Sequence, residues 1–194
     1  MDASLATPSG PRPGLVRWHY LWYVAGALAV LVAAVLAGNL WLLDWVHVMS
    51  GVLWTGIDLF MGFVIGPIIR SVSIPVRREI IVRLTPVTLF LMPTLSILTS
   101  TAGWFLAVRM GYVQLPWPQF GWIAAALVLV TLMTIQGLGY LLPTSVRVCL
   151  ELQKPEPDGP KIGRMMSRFY YVVASQGLMQ VAIIVVMAKL ATGV

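Results

Sequence analysis

The stretch 41–69 decides the fold and reads WLLDWVHVMSGVLWTGIDLFMGFVIGPII. It exceeds the roughly 20 apolar residues that cross a hydrocarbon core about 30 Å thick. Its ionisable side chains are Asp44, His47 and Asp58. Such a run predicts a transmembrane helix, and ionisable groups inside it indicate a protein-facing surface where a function would reside.

Four further apolar runs flank this stretch, at 18–38, 86–110, 119–146 and 169–190. With 59% hydrophobic and 10% charged residues, the 194-residue chain could not form the solvated surface of a soluble domain. The sequence therefore predicts an all-α integral membrane protein with five transmembrane helices. We expect a single helical domain over 18–194, preceded by a cytoplasmic tail at 1–17.

All but two of the thirteen Lys and Arg residues fall on one side if each run crosses the membrane once. Cytoplasmic loops accumulate these residues, so we expect a cytoplasmic N-terminus and an external C-terminus in the inner membrane of a bacterium. Arg109 and Lys189 are left for the outside. The residues assigned to the cytoplasmic side are Arg12, Arg17, Arg70, Arg77, Arg78, Arg83, Arg147, Lys154, Lys161, Arg164 and Arg168.

The net charge is +6, and the Lys and Arg residues that produce it lie beside helix ends, where anionic lipid is the nearest partner. We therefore expect the lipid bilayer as a partner, with other membrane subunits or a second copy of the chain, and no nucleic acid.

The segment 151–168 contains KPEPDGPK at 154–161, which favours an extended loop over a helix. Prolines 93 and 143 predict kinks in the third and fourth helices.

Helical spacing places five side chains of the second helix on one stripe. They are His47, Ser50, Gly51, Trp54 and Asp58. His47 is about 16 Å nearer the outside than Asp58, at 1.5 Å per residue. This stripe should face protein, because ionisable groups in hydrocarbon cost several kcal/mol.

His47 could ligate a tetrapyrrole, since neutral imidazole binds haem iron and Gly51 would leave room for a flat ring. The alternative is a histidine that is hydrogen-bonded and packed. His19 is expected at the opposite leaflet and cannot complete the same site. A haem there would need another sixth ligand, stay five-coordinate or be completed by a partner subunit, and a magnesium chlorin with one axial ligand is also allowed. Candidate ligands in the outer leaflet are Met110, Met187 and Lys189.

For Asp58 the favoured interpretation is a hydrogen bond to Ser, Thr or Gln on a neighbouring helix. The functional alternative is a proton-relay or quinone-site acid. The polar residues available on other helices are Ser96, Thr99, Ser100, Thr131, Thr134, Gln136, Tyr140, Gln176 and Gln180.

Residues of the second and last helices together resemble the pattern of a known group of membrane proteins. The set comprises His47, Gly51, Trp54 and Gly56 at that spacing, then Pro67 and Arg70, and a last helix running from 164–171 to Lys189. Over about 41–190 the chain resembles the small four-helix membrane proteins that include HemJ-type protoporphyrinogen oxidases, CopD-like copper-resistance domains and the membrane domain of some bacterial urate oxidases. The resemblance implies a four-helix bundle with an added first helix, and places His47 at the family's haem-ligating histidine. The family's lysine early in the third core helix has no counterpart in 120–126, which marks a divergent member.

Two main functions follow. The first is a membrane redox or electron-transfer-associated protein that binds haem b or another tetrapyrrole, with His47 as the axial metal ligand and Gly51, Trp54 and Asp58 shaping the site. The second is a cofactor-free accessory subunit of a larger membrane complex. A copper-handling protein is a weaker alternative, resting on Met49 beside His47, because copper sites use thiolates or clustered Met and His.

Overall fold

The computed structural model describes residues 17–193, and these are helical with short turns and no strand. Its five long helices are α1 (Tyr20–Ala37), α2 (Leu40–Ser71), α3 (Ile74–Arg109), α4 (Phe120–Leu152) and α5 (Gly159–Ala191). Each is long and apolar enough to cross a membrane, which confirms the predicted helix content. The predicted tail at 1–17 lies outside the described residues except for Arg17.

Helices α2 to α5 form a four-helix bundle, in which α2 contacts α3 and α5, and α4 contacts α3 and α5. Helix α1 lies outside this bundle against α2 and α3. One buried cluster holds the three together: Leu31, Ala34, Leu43, Val46, Leu98 and Ala102. We call the end of the bundle that carries Ser71, Ile74, Leu152 and Gly159 the basic end, and the other the opposite end.

Short turns make consecutive helices antiparallel. Gly38 ends α1 in the left-handed region at φ 68°, and Asn39 caps α2 by accepting a hydrogen bond from the Leu42 amide. At the basic end, the Arg77 guanidinium donates to the carbonyls of Ile69 and Arg70. These bonds satisfy carbonyls that the end of a helix leaves without a partner.

The loop predicted at 151–168 is confirmed only over 153–158 and is wrong beyond it, because α4 continues to Leu152 and α5 begins at Gly159. Asp158 caps α5 by accepting from the Lys161 amide, and Pro160 falls in the first turn, where a missing N–H breaks no helical hydrogen bond. Helices α2 to α5 also extend beyond the predicted runs at the basic end. These extensions are polar, so hydropathy alone does not reveal them.

Two π turns interrupt the helices, at Met61–Ile65 in α2 and at Gly137–Leu141 in α4. Each is followed two residues later by a proline, Pro67 and Pro143. A proline lacks the N–H for the i−4 bond and crowds that carbonyl, and a wider turn relieves the crowding. The irregularity predicted at Pro143 is therefore a π turn, whereas α3 stays helical through Pro86 and Pro93.

Candidate functional site

The stripe predicted on α2 is divided between two neighbouring helices. Towards the opposite end, His47, Ser50 and Gly51 contact α3. Farther along, Trp54 and Asp58 face a cavity inside the bundle. The four predicted site residues therefore do not form one site.

His47 is packed tightly against α3. Its Nδ1 lies 2.9 Å from the carbonyl oxygen of Thr99, so the ring donates through Nδ1 and leaves the Nε2 lone pair free. The ring also fills the space beside Gly103, where an added Cβ would come within 2.6 Å of the imidazole Cε1. Gly103 therefore has to be small so that His47 can lie against the helix.

Gly51 and Ser50 extend the same helix contact. A Cβ at Gly51 would lie 3.4 Å from the Thr99 methyl group, so Thr99 occupies the room that the sequence suggested for a flat ring. The Thr99 hydroxyl donates to the Ser50 hydroxyl at 2.9 Å, and Ser50 donates to the Val46 carbonyl. Small and hydroxyl residues of this kind bring membrane helices close together.

Asp58 belongs to a polar network that joins α2 to α5. The Gln180 amide donates to Asp58 Oδ2 at 2.9 Å, and the Thr55 hydroxyl donates to Gln180 Oε1 at 2.6 Å. Gln180 is fully buried. This is the arrangement favoured from the sequence, a hydrogen bond from Gln on a neighbouring helix, and it fixes one carboxyl oxygen of Asp58 in place.

A cavity of about 220 Å³ lies between α2, α3, α4 and α5, in the half of the bundle nearer the basic end. Both π turns contribute to its wall, and π turns often occur at functional sites. Most of the lining is apolar. Its polar members are Asp58, Thr85, Thr88, Ser96, Thr134, Ser145, Tyr170 and Gln176.

Gln176 is the polar group of this wall whose hydrogen bonding is incomplete. Its side chain is 3% exposed, its Nε2 makes a long 3.5 Å contact to the Met133 carbonyl, and its amide also hydrogen-bonds the Asp58 carboxyl. Its Oε1 is buried and has no partner. A buried acceptor without a donor costs about 1–3 kcal/mol, so its presence in a cavity wall indicates a missing donor.

The space around His47 does not fit a tetrapyrrole inside the bundle. The Nδ1 bond to a backbone carbonyl suits a metal-ligating histidine, but His47 does not line the cavity. An apolar cavity of about 150 Å³ holds one benzene ring, so 220 Å³ holds one substituted ring and not four pyrroles. Lys189, a candidate second ligand, instead lies over the Trp122 ring.

The described part of the chain also brings few metal-binding side chains together. Across the described residues 17–193, no group of three or more His, Cys, Asp or Glu side chains is placed to hold one metal ion. Cys149 is a buried free thiol. The copper-handling alternative stays a prediction that this geometry does not strengthen.

No known protein family, curated protein or solved structure matches the chain. The resemblance to the HemJ and CopD type of protein therefore stays a prediction. Function has to be argued from the site itself.

Sequence reasoning found Trp54, Asp58, Gln176 and Gln180 but missed the cavity. Its wall consists mainly of ordinary apolar residues at helical spacing. The one available signal was a pair of prolines, Pro67 and Pro143, each close after a glycine-containing apolar turn.

Proposed function

We propose that the chain binds a small lipophilic ring compound of the quinol class in its central cavity, and so serves electron transfer in a membrane. The observation that carries this proposal is the buried, unpartnered Gln176 Oε1 in a mostly apolar wall that also holds Asp58. A ligand hydroxyl would give this oxygen the donor that the protein does not supply. A quinol ring has the size, the apolar faces and the hydroxyl groups that this cavity requires.

Two neighbouring groups would act on the same hydroxyl of the ring. Gln176 Oε1 would accept its hydrogen bond, and the adjacent Asp58 carboxyl would take up the proton that this hydroxyl releases. Gln180 holds Asp58 through Oδ2, and Thr55 holds Gln180, so the acid is oriented before the ligand arrives. The chain would bind the ring, orient it and handle its proton.

The setting is an inner bacterial membrane with the basic end in the cytoplasm, as the placement of Lys and Arg favours. An accessory role in a larger complex is compatible with this proposal. Such a subunit would present the bound ring to a partner, and the exposed apolar faces of the helices would contact lipid, other membrane subunits or a second copy.

The first test is the binding of duroquinol to the detergent-purified protein, measured anaerobically by calorimetry. Replacing Gln176 with Leu removes the acceptor and should weaken binding about fivefold, the equivalent of one hydrogen bond. Gln136→Leu is the matched control, because Gln136 also has a buried unpartnered Oε1 but lies outside the cavity wall. Duroquinone lacks the hydroxyl donors and should bind the wild type more weakly than duroquinol.

A second pair of variants tests the location. Thr88→Phe places a ring into the cavity and should abolish binding, whereas Thr131→Phe adds the same bulk at an exposed position of α4. Equal affinity of duroquinol for the wild type, Gln176→Leu and Thr88→Phe would refute the proposal.

Tetrapyrrole binding is a second candidate, favoured by one observation, the free Nε2 of His47 opposite its Thr99 hydrogen bond. The absorption spectrum of protein purified from its native host distinguishes the two. A Soret-type band that disappears in His47→Ala would support haem, and a colourless wild type would leave the cavity as the site.

A further inference from the structure

A second pocket lies on the outer surface of the bundle between α4 and α5, and shares no lining residue with the central cavity. Its volume is about 600 Å³. We call it the arginine pocket, because three arginines converge there from two helices. Its lining consists of Tyr140, Thr144, Arg147, Arg164, Met165, Ser167 and Arg168.

The positive charge of this pocket is not neutralised by the protein. Within the described residues the ion pairs are Arg83 with Glu79, and both Lys154 and Lys161 with Glu151. Arg147, Arg164 and Arg168 make no ion pair with any described carboxylate. Three guanidinium groups on one face, each with free donors, form a site for a phosphate-bearing anion.

The position of the pocket along the helices indicates where that phosphate comes from. The predicted apolar run of α4 ends at Val146, and that of α5 begins at Phe169. The arginines therefore stand where the apolar segments stop, at the expected depth of lipid headgroups. Basic pockets between transmembrane helices on the cytoplasmic side bind anionic headgroups.

The surface of the α4–α5 seam continues from the pocket towards the opposite end and exposes large apolar side chains. Helical spacing puts Tyr171 and Leu178 below Arg164 and Arg168 on α5. Tyr171 is 80% exposed and Leu178 is 73% exposed. On α4, Gln136 donates to Ser175 across the same seam, and Leu132 beyond it is exposed. Acyl chains could lie along this seam while a phosphate occupies the arginine pocket.

We infer that the α4–α5 seam binds an anionic phospholipid, with its phosphate held by Arg147, Arg164 and Arg168 and its acyl chains along the exposed apolar side chains of the seam. Three unpaired arginines suit a headgroup with two phosphates, so cardiolipin should bind more tightly than phosphatidylglycerol. Phosphatidylcholine, which is neutral overall, should bind most weakly.

The test uses delipidated full-length protein in a neutral detergent, with lipid binding followed by native mass spectrometry. Cardiolipin, phosphatidylglycerol, phosphatidylcholine and inorganic phosphate are the probes. The double variant Arg164→Gln with Arg168→Gln should weaken cardiolipin binding about 30-fold, as expected for two basic residues near a membrane surface. The corresponding double Lys variant keeps the charge and should retain most of the binding.

The matched control is Arg78→Gln with Arg83→Gln, which removes the same charge from the same end but outside the pocket. It should change cardiolipin binding little, and an equal loss in both double variants would overturn the inference in favour of diffuse charge attraction. Tight, arginine-dependent binding of inorganic phosphate that cardiolipin does not displace would overturn the lipid assignment. Equal binding of phosphatidylcholine and cardiolipin would do the same.

Discussion

The His47 ring occupies the space that a side chain would need at position 103. A Cβ there would lie 2.6 Å from the imidazole Cε1 and 2.8 Å from Nδ1. Because the ring is also fixed by its bond to the Thr99 carbonyl, it cannot move aside without losing that bond. Gly103→Ala should therefore lower the free energy of unfolding by about 1–3 kcal/mol, as overpacking does.

The melting temperature in detergent checks this prediction. Gly56→Ala is the control, since no neighbouring atom lies within 4 Å of a Cβ at that exposed site. The double variant His47→Ala with Gly103→Ala removes the clash, so it should be more stable than the sum of the two single effects predicts. Simple additivity would contradict the proposed contact.

At this scale the sequence predicted a single polar stripe on α2, and the structure divides the contacts of that stripe between two helices. His47 to Asp58 does form one helical stripe, but a stripe about 16 Å long is long enough to meet different neighbours along its length. Thr99 on α3 contacts the first part, and Gln180 on α5 contacts the second. Spacing along a single helix identifies which residues share a face. Which neighbouring helix that face contacts depends on where the other helices cross it.

Among the elements, the turn between α4 and α5 contains one carboxylate that makes two ion pairs. Glu151 receives Lys154 Nζ at 2.8 Å on one oxygen and Lys161 Nζ at 2.7 Å on the other. Arg78 on α3 donates to the carbonyl of Lys154 and so joins a third helix to the turn. Glu151 thus links the end of α4, the turn and the first turn of α5.

Glu151→Gln keeps the shape of the side chain and removes its charge. Two ammonium groups then lie near the N-terminal end of α5 without compensation, where the helix dipole disfavours positive charge. We expect faster amide hydrogen exchange over 152–162 and a lower melting temperature. Glu156→Gln is the control, because Glu156 is exposed in the same turn and makes no ion pair with the residues described. Equal exchange in both variants would refute this role.

The same turn shows what sequence patterns miss at the scale of elements. The five helices were predictable because apolar length is a strong signal. The final turns of α4 and the first turns of α5 are polar, and their helical state depends on a cap at Asp158 and on the ion pairs of Glu151. The π turns depend on local crowding before a proline, which hydropathy does not measure.

For the whole molecule, the arrangement of helices determines where the polar groups meet. No single helix contains a cavity, and the central one appears only because α2 to α5 close a bundle around it. The cavity acceptor that has no donor, Gln176 Oε1, lies on the last helix, far in sequence from Asp58. Such a pairing follows from tertiary packing and could not be predicted from either helix alone.

The distribution of basic residues leads to a prediction about orientation in the membrane. Of the Lys and Arg residues that the structure describes, all except Arg109 and Lys189 lie at or near the basic end. Because these charges resist translocation, the basic end should remain in the cytoplasm. The turn at Glu156 should then be cytoplasmic, and Gln119, before α4, should be external. Both positions are exposed.

Single cysteines at these two positions, in a Cys149→Ala background, test the orientation with a membrane-impermeant maleimide on intact bacterial cells. Gln119→Cys should be labelled directly, whereas Glu156→Cys should require permeabilisation. The reverse pattern would place the arginine pocket outside the cell and remove the basis for its cytoplasmic-leaflet lipid.

Replacing Arg70, Arg77, Arg78 and Arg83 with Gln should raise the labelling of Glu156→Cys in intact cells, because loss of that charge weakens the barrier to translocation of the basic end.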